Sequence, residues 1–267
     1  LRHLSPSEPL SPLWHDRPMT TDATPPETAP ATDHGPAEPW LTCVAPLALF
    51  LVAGALEPTP SGGLLDSLGV PYAAYPLIYA LRLAATLGLL VWVWPHIKAW
   101  AGRPTWWPPL LGLLLVVPWV VLAKLQHDAG WTFGATERAG YNPFATDNLG
   151  PDSPLAWAFL AVRGLGLIVV VPIIEELFVR GFLMRYVIKE KFWEVPFGTL
   201  TAASAAACTV YAVASHPGEA IAAVGWFAVV SGIAAATRKP IDCILCHAAT
   251  NLALGAYVLA TNEWWLV

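Results

Sequence analysis

Two adjacent acids, Glu175 and Glu176, end the apolar run Val-Val-Val-Pro-Ile-Ile-Glu-Glu-Leu-Phe-Val-Arg, and Arg180 follows four residues after the second. An ionisable side chain at the centre of a membrane helix costs on the order of 2.5 to 3.5 kcal/mol on insertion scales, so such groups normally face protein or a water-filled cavity. Helical spacing puts Glu176 and Arg180 on one face as an i,i+4 pair and rotates Glu175 by about 100°. One carboxylate can then be structural and the other reactive. The plainer alternative is that Glu176, Arg180 and Arg185 mark the cytoplasmic end of a helix.

Two further places carry polar side chains in apolar surroundings. His216 closes the Ala-rich run Thr-Val-Tyr-Ala-Val-Ala-Ser-His and is followed by Pro217 and Gly218. Alone, a histidine there reads as an interfacial residue. His247 and Asn251 lie one helical turn apart in Cys-His-Ala-Ala-Thr-Asn-Leu-Ala-Leu-Gly, so they face one way. They could simply bind a neighbouring span. Carboxylate and imidazole are also the side chains of general acid–base work, and preorganised donors stabilise a developing oxyanion.

The elements that must position these groups are apolar. Of the 267 residues 56% are hydrophobic and 12% charged, against roughly 25% charged in an average soluble domain. Several apolar runs approach or exceed the roughly 18 residues that span a bilayer. Spans are expected near 40 to 57, 72 to 95, 106 to 125, 155 to 184, 197 to 216, 218 to 237 and 241 to 262. The fold class is therefore an all-α polytopic transmembrane bundle of about seven spans, with residues 40–267 as a single transmembrane domain. Fourteen Trp crowd the span ends with Tyr, among them Trp40, Tyr72, Trp106, Trp107, Trp193, Trp264 and Trp265, as in aromatic belts. Lys98 and Arg103, then Arg185, Lys189 and Lys191, then Arg238 and Lys239 fall in alternate loops, which predicts that side, and the amino terminus, to be cytoplasmic. An integral protein of a bacterial inner membrane, in contact with lipid, is expected.

Residues 1 to 39 are rich in Pro, Thr, Ser and acids and have no apolar period, which predicts a disordered tail without a secretory leader. Met19 offers an alternative start that would make residues 1–18 an extension. The net charge of −5 comes largely from this tail and the loop 126 to 154, and no basic patch suggests nucleic acid. That loop, with Trp131, Phe133, Tyr141 and Phe144, is either a small cap or a connector.

Together the polar sets resemble the CAAX protease and bacteriocin-processing (CPBP, or Abi) family of intramembrane proteases, over roughly residues 155 to 262. Its first motif matches at Glu175, Glu176 and Arg180, and its last, His-x-x-x-Asn or Asp, at His247 and Asn251. The stretch from Ser231-Gly232 to Thr237-Arg238-Lys239-Pro240 is similar to the family's small-residue helix and short basic turn. The middle motif departs, since Ala212 stands where a Phe is usual four residues before His216, with Tyr211 one earlier. The resemblance implies a membrane-embedded peptidase acting on a membrane-proximal or lipid-modified polypeptide. Water would be activated by Glu175 with help from His216, His247 and Asn251 would stabilise the oxyanion, and Arg180 would keep Glu176 ionised.

Several alternatives use the same residues. Glu175, His216 and His247 could bind zinc and a nucleophilic water, although no His-Glu-x-x-His turn is present and His247–Asn251 supplies one good ligand; the metal-free version is favoured. Cys243-Ile-Leu-Cys246-His247 has the spelling of covalent haem attachment, but its expected cytoplasmic placement argues against it. The four cysteines, Cys43, Cys208, Cys243 and Cys246, read as small buried hydrophobes. A catalytically silent binding or immunity protein of the same fold is the competing function, whereas a transporter would need broken helices in paired halves. Arg82 and Arg163, inside apolar runs, each need a partner or a cavity.

Overall fold

Local chemistry marks many of the helix ends. The computed structural model describes residues 36, 38–60, 64–131, 133 and 140–267, and among them the regular structure is all helical. Most of the tail expected over 1–39, with Met19, lies outside the described residues, as does Arg138. Helices α1 (Pro39–Cys43) and α2 (Ala45–Gly54) lead to α3 (Tyr75–Ala101) and α4 (Trp107–Asp128). The continuous helix α5 (Pro154–Tyr186) is followed by α6 (Ala202–Ser215), α7 (Ala220–Thr237) and α8 (Pro240–Thr261). Proline stands in the first turn of α1 to α5 and α8, where its missing N–H would have had no helical partner. Helices α7 and α8 end on Arg238 and Asn262 in the left-handed conformation.

Five helices are long and apolar enough to cross a membrane: Tyr72–Ala101, Trp107–Asp128, Pro154–Tyr186, Pro217–Thr237 and Pro240–Thr261. At most half of any of them is buried inside the protein; Leu77, Leu81, Val91 and Trp92 on α3 and Leu114 and Val117 on α4 are exposed. Such an apolar outer surface is what lipid solvates. The two other expected spans are shorter than the sequence suggested. Helix α2 has 10 residues and α6 has 14, rises of about 15 and 21 Å against a hydrocarbon core of roughly 30 Å. The expected start of α6 at 197 is corrected to 202 because the Thr201 hydroxyl accepts from Ser204 N and Ser204 Oγ accepts from Thr201 N, a reciprocal cap.

The basic loops do meet at one end of the bundle. Lys239 Nζ donates to Thr105 Oγ1 at 3.2 Å, Asp242 accepts from both Thr105 N and Oγ1, and Arg238 Nη1 donates to the Phe197 carbonyl at 3.2 Å. Arg185, read as one of these loop charges, is instead buried and donates to the carbonyls of Val195 and Gly181. At the other end Lys124 pairs with Glu263, Phe144 packs on Trp157 and Trp264, and Tyr141 is buried among Tyr72, Tyr75 and Phe159. The stretch around Tyr141 and Phe144 is thus a packed cap, whereas Trp131 and Phe133 of the same loop are exposed. Trp264, expected in a belt, is buried under it, and its indole donates to Asn262 Oδ1.

Two cores flank α5. One gathers Trp119, Ala212, Trp226, Phe227, Val230 and Cys246 from α4, α6, α7 and α8; the other gathers Tyr79, Leu83, Val93, Phe159, Val170 and Ile174 from α3 and α5. The most extensive helix contact is between α4 and α8. It depends on Gly112, where an added Cβ would collide with the carbonyl oxygen of Cys246, one residue before His247. Close approach at a small residue is a usual way for spans to associate. Thr250 Oγ1 uses the approach to donate to the Gly112 carbonyl at 2.9 Å. Gly112→Val is expected to cost about 1 to 3 kcal/mol through overpacking, read as a lowered unfolding midpoint of the detergent-solubilised protein by tryptophan fluorescence; an unchanged midpoint would show that α4 and α8 can separate freely there.

Candidate active site

Helix α5 is not a uniform α-helix. Residues Gly166–Val170 and Leu177–Leu183 are π-helical, on either side of the Val171–Glu176 segment that carries both acids. Such stretches inside α-helices concentrate at functional sites. The first has a local cause. Val171 N bonds back to Gly166 O in the π pattern, so the next bond in that pattern would come from residue 172 to Leu167 O, and Pro172 has no N–H to give. Asn251 Nδ2 supplies it instead, donating to Leu167 O at 2.7 Å. Pro172 and Asn251 are therefore one device in two helices.

Glu176 is buried, 1% exposed. Its Oε1 accepts from Arg180 Nη1 at 2.9 Å, the i,i+4 contact expected from spacing, and lies 3.0 Å from His247 Nδ1. Arg180 reaches on to the Phe227 carbonyl at 2.9 Å, and its guanidinium lies 4.7 Å from the Phe227 ring. Because Glu176 Oε1 is already an acceptor for a guanidinium, His247 Nδ1 must be the donor to it, which leaves Nε2 turned the other way. That nitrogen lies 3.8 Å from Glu175 Oε2. Trp226 holds the imidazole edge-on at 4.5 Å and is itself fixed by its indole N–H on Thr250 Oγ1.

Glu175, rotated from Glu176 as the helix predicts, opens onto a cavity of about 670 Å³ whose wall also includes Tyr211, His216, His247 and Asn251. Glu176 and Arg180 stand behind that wall. Tyr211 donates its hydroxyl to Glu175 Oε1 at 3.2 Å. His216 reaches the cavity from the C-terminal end of α6, with Nδ1 2.9 Å from Ser215 Oγ and its ring against Trp119 and Phe227. Counting depth along two full-length spans would separate Glu175 from His216, but α6 is short and its end lies beside the cavity. The four residues singled out as reactive, Glu175, His216, His247 and Asn251, thus share one cavity, and within it Glu175 and His247 approach each other to 3.8 Å.

A zinc ion fits this arrangement poorly. Among the described residues no three His, Cys, Asp or Glu side chains are placed to hold one metal ion. Cys243 and Cys246 are fully buried in α8, and His247 is turned to the two acids, so the haem-like spelling has no matching geometry.

Residues 156–253 match the family model described as type II CAAX prenyl endopeptidase Rce1-like. That segment is a domain of this family. No curated protein and no solved structure matches the chain. The family domain begins near the start of α5, ends within α8, and contains every residue of the two acidic and histidine motifs. Three side chains that shape its site are not evident from the sequence: Tyr211, Trp226 and Thr250. Tyr211 had a signal, since it is an aromatic one position away from the expected Phe. Trp226 and Thr250 gave none, because a tryptophan and a threonine in an apolar run read as packing.

Asn251→Leu is expected to leave Leu167 O without its protein partner at the part-buried cavity wall, which costs about 1 kcal/mol. Thermal unfolding in detergent measures it, and a variant as stable as the wild type would mean that α5 finds another donor.

Proposed function

We propose that this protein is an intramembrane endopeptidase that hydrolyses a peptide bond of a membrane-proximal or lipid-modified polypeptide with a water activated by carboxylate and imidazole. The observation that carries this reading is the chain Arg180–Glu176–His247–Glu175, a buried ion pair that fixes one face of an imidazole and turns the other toward a second acid at the cavity wall. The family's printed description as a prenyl endopeptidase supports a peptidase acting on protein substrates. The chain is an integral membrane protein in this reading, with about seven apolar segments in one domain, two of them reaching only part-way, and with the basic loops and the amino terminus on the cytoplasmic side of a bacterial inner membrane.

The 3.8 Å between His247 Nε2 and Glu175 Oε2 is too long for a hydrogen bond. A water lying off the line between them reaches both at about 2.8 Å. Glu175, with one oxygen held by Tyr211, takes the proton as that water attacks the carbonyl carbon. The proton then passes to the leaving amine, and His247, protonated on Nε2 from solvent in the cavity before the attack, donates that N–H toward the oxyanion and returns the proton to solvent afterwards. Asn251 holds the backbone of α5 in place through Leu167 and has a second amide hydrogen on the same wall. His216 sits across the cavity as the other base. Arg180 keeps the carboxylate of Glu176 paired, so that the tautomer of His247 is fixed by a group that does not itself react.

Glu175→Gln and His247→Ala are expected to lower cleavage by a hundredfold or more, and Tyr211→Phe by roughly tenfold, the loss of one hydrogen bond of about 1.4 kcal/mol. Processed proteins in cells carrying wild type and each variant provide the measurement. Identical profiles would replace the peptidase with a binding protein of the same fold. A chelator is expected to leave activity unchanged; loss of activity restored by zinc would replace the metal-free route.

A further inference from the structure

The cavity has a second pole, built largely by the front half of the chain, that the peptidase reading leaves without a task. Arg163 on α5 is 8% exposed, and its Nε and Nη1 are buried without a hydrogen-bond partner. Nearby on the same wall are Arg82, Tyr79 and Glu57. Glu57 Oε2 pairs with Arg82 Nη1 at 3.1 Å, while Glu57 Oε1, Arg82 Nε and Tyr79 Oη are also buried without partners. Half of the unpartnered buried polar atoms in the described residues belong to this one cluster. Gly166 makes the cluster possible, since a Cβ there would collide with the Tyr79 hydroxyl.

Charge counting says what is missing. Two guanidiniums face one carboxylate, and an unpaired buried cation in an apolar bundle costs several kcal/mol. One negative charge would balance the pole, and a guanidinium edge with a hydroxyl beside it suits the two oxygens of a carboxylate. The pole also points into the same cavity as Glu175. Twelve residues separate Arg163 from Glu175, which in a straight α-helix would rotate them by about 120°. The π-helical stretch Gly166–Val170 lies between them; one residue absorbed in such a bulge reduces that to about 20°. The irregularity that accompanies Asn251 therefore also turns Arg163 to the catalytic side.

We propose that Arg163, with Tyr79 and the Arg82–Glu57 pair, receives a carboxylate of the bound polypeptide and so positions it against Glu175. The inference rests on the peptidase reading, and its test separates the two. The purified full-length protein in detergent is given three matched fluorogenic peptides: one with a free terminal carboxylate, one amidated, and one amidated with a Glu side chain on the same side of the cleaved bond. Wild type is expected to prefer one carboxylate-bearing peptide over the plain amide at least tenfold in kcat/KM, mainly through KM; which of the two is preferred tells terminus from side chain. In Arg163→Gln that ratio falls to about one. Equal cleavage of all three peptides by wild type, or a preference that survives Arg163→Gln, overturns the proposal while leaving the peptidase intact.

If wild type cleaves none of them, the peptidase reading fails and binding decides the inference alone. The unfolding midpoint of Glu175→Gln should then rise more with a carboxylate peptide than with its amide, and the difference should vanish in the double variant with Arg163→Gln. Equal shifts overturn the proposal. So does an Arg163-dependent rise caused by phosphatidylglycerol vesicles and not by peptide, which would make the occupant a lipid. Arg163→Gln without ligand should unfold no earlier than wild type, because Nε and Nη1 have no hydrogen bond to lose and Glu57 keeps its pairing with Arg82; a lowered midpoint would indicate a structural role and overturn the assignment.

Discussion

The carboxylate of Glu176 is the group on which the site depends. It is buried among apolar helices, and a charge in such a place is tolerated only when its partners are fixed around it. One oxygen receives Arg180 from its own helix and His247 from α8, and Arg180 continues to the backbone of α7 at Phe227. Three helices are thereby registered to one another by a single acceptor. Removing any one partner strands a buried charge, at about 3 to 5 kcal/mol, whereas replacing the whole set by apolar side chains is often neutral or stabilising. Stability alone therefore gives no reason to keep the set. Orientation does, because a histidine whose Nδ1 is committed presents Nε2 in one direction.

The second constraint is the backbone of α5. A membrane helix satisfies its own hydrogen bonds or must find substitutes, and Pro172 guarantees one vacancy in the π-helical stretch. Asn251 fills it from α8, the same helix and the same face that carry His247. The apparent pairing of His247 and Asn251 by spacing is thus a division of labour: the histidine meets the acids, and the asparagine meets the carbonyl that the proline leaves open. Gly112 allows α8 to sit close enough to α4 for this register to be kept, with Thr250 as the link to Trp226.

How much of this was legible follows from what the sequence can contrast. In an apolar chain each charge stands out, so Glu175, Glu176, Arg180, Arg163 and Arg82 could be found one residue at a time, and helical spacing alone gave the Glu176–Arg180 contact. Side chains that do polar work but read as packing could not be found in this way, which is why Trp226 and Thr250 emerged only from their positions and Tyr211 showed only as an aromatic beside an expected Phe. Helix ends were poorly legible for a related reason. Hydropathy does not mark where an Ala-rich run begins to be helical, and the reciprocal cap of Thr201 and Ser204, which does mark it, lacks the acidic third residue that makes such caps recognisable. Burial of Arg185 was hidden because a basic residue near a span end looks the same whether it faces headgroups or folds back onto carbonyls.

The family domain starts at residue 156, yet the charged pole beside it draws Glu57, Tyr79 and Arg82 from before that point. This bears on what the front half is for. If those helices served only to fill lipid-facing volume, their inward faces would be expected to be apolar, since each buried charge there weakens the bundle. Instead α3 contributes a guanidinium and a hydroxyl to a cavity shared with Glu175, and α5 is wound so that Arg163 joins them. The cost is borne at the one place where the cavity wall passes from the family domain to the rest of the chain. A front half selected for anchoring would drift toward leucine at these positions; under the proposed peptidase reading, one that reads a feature of a bound polypeptide would keep the charges and vary around them, which makes α3 and the segment at Glu57 before α5 the place where that reading seeks substrate discrimination.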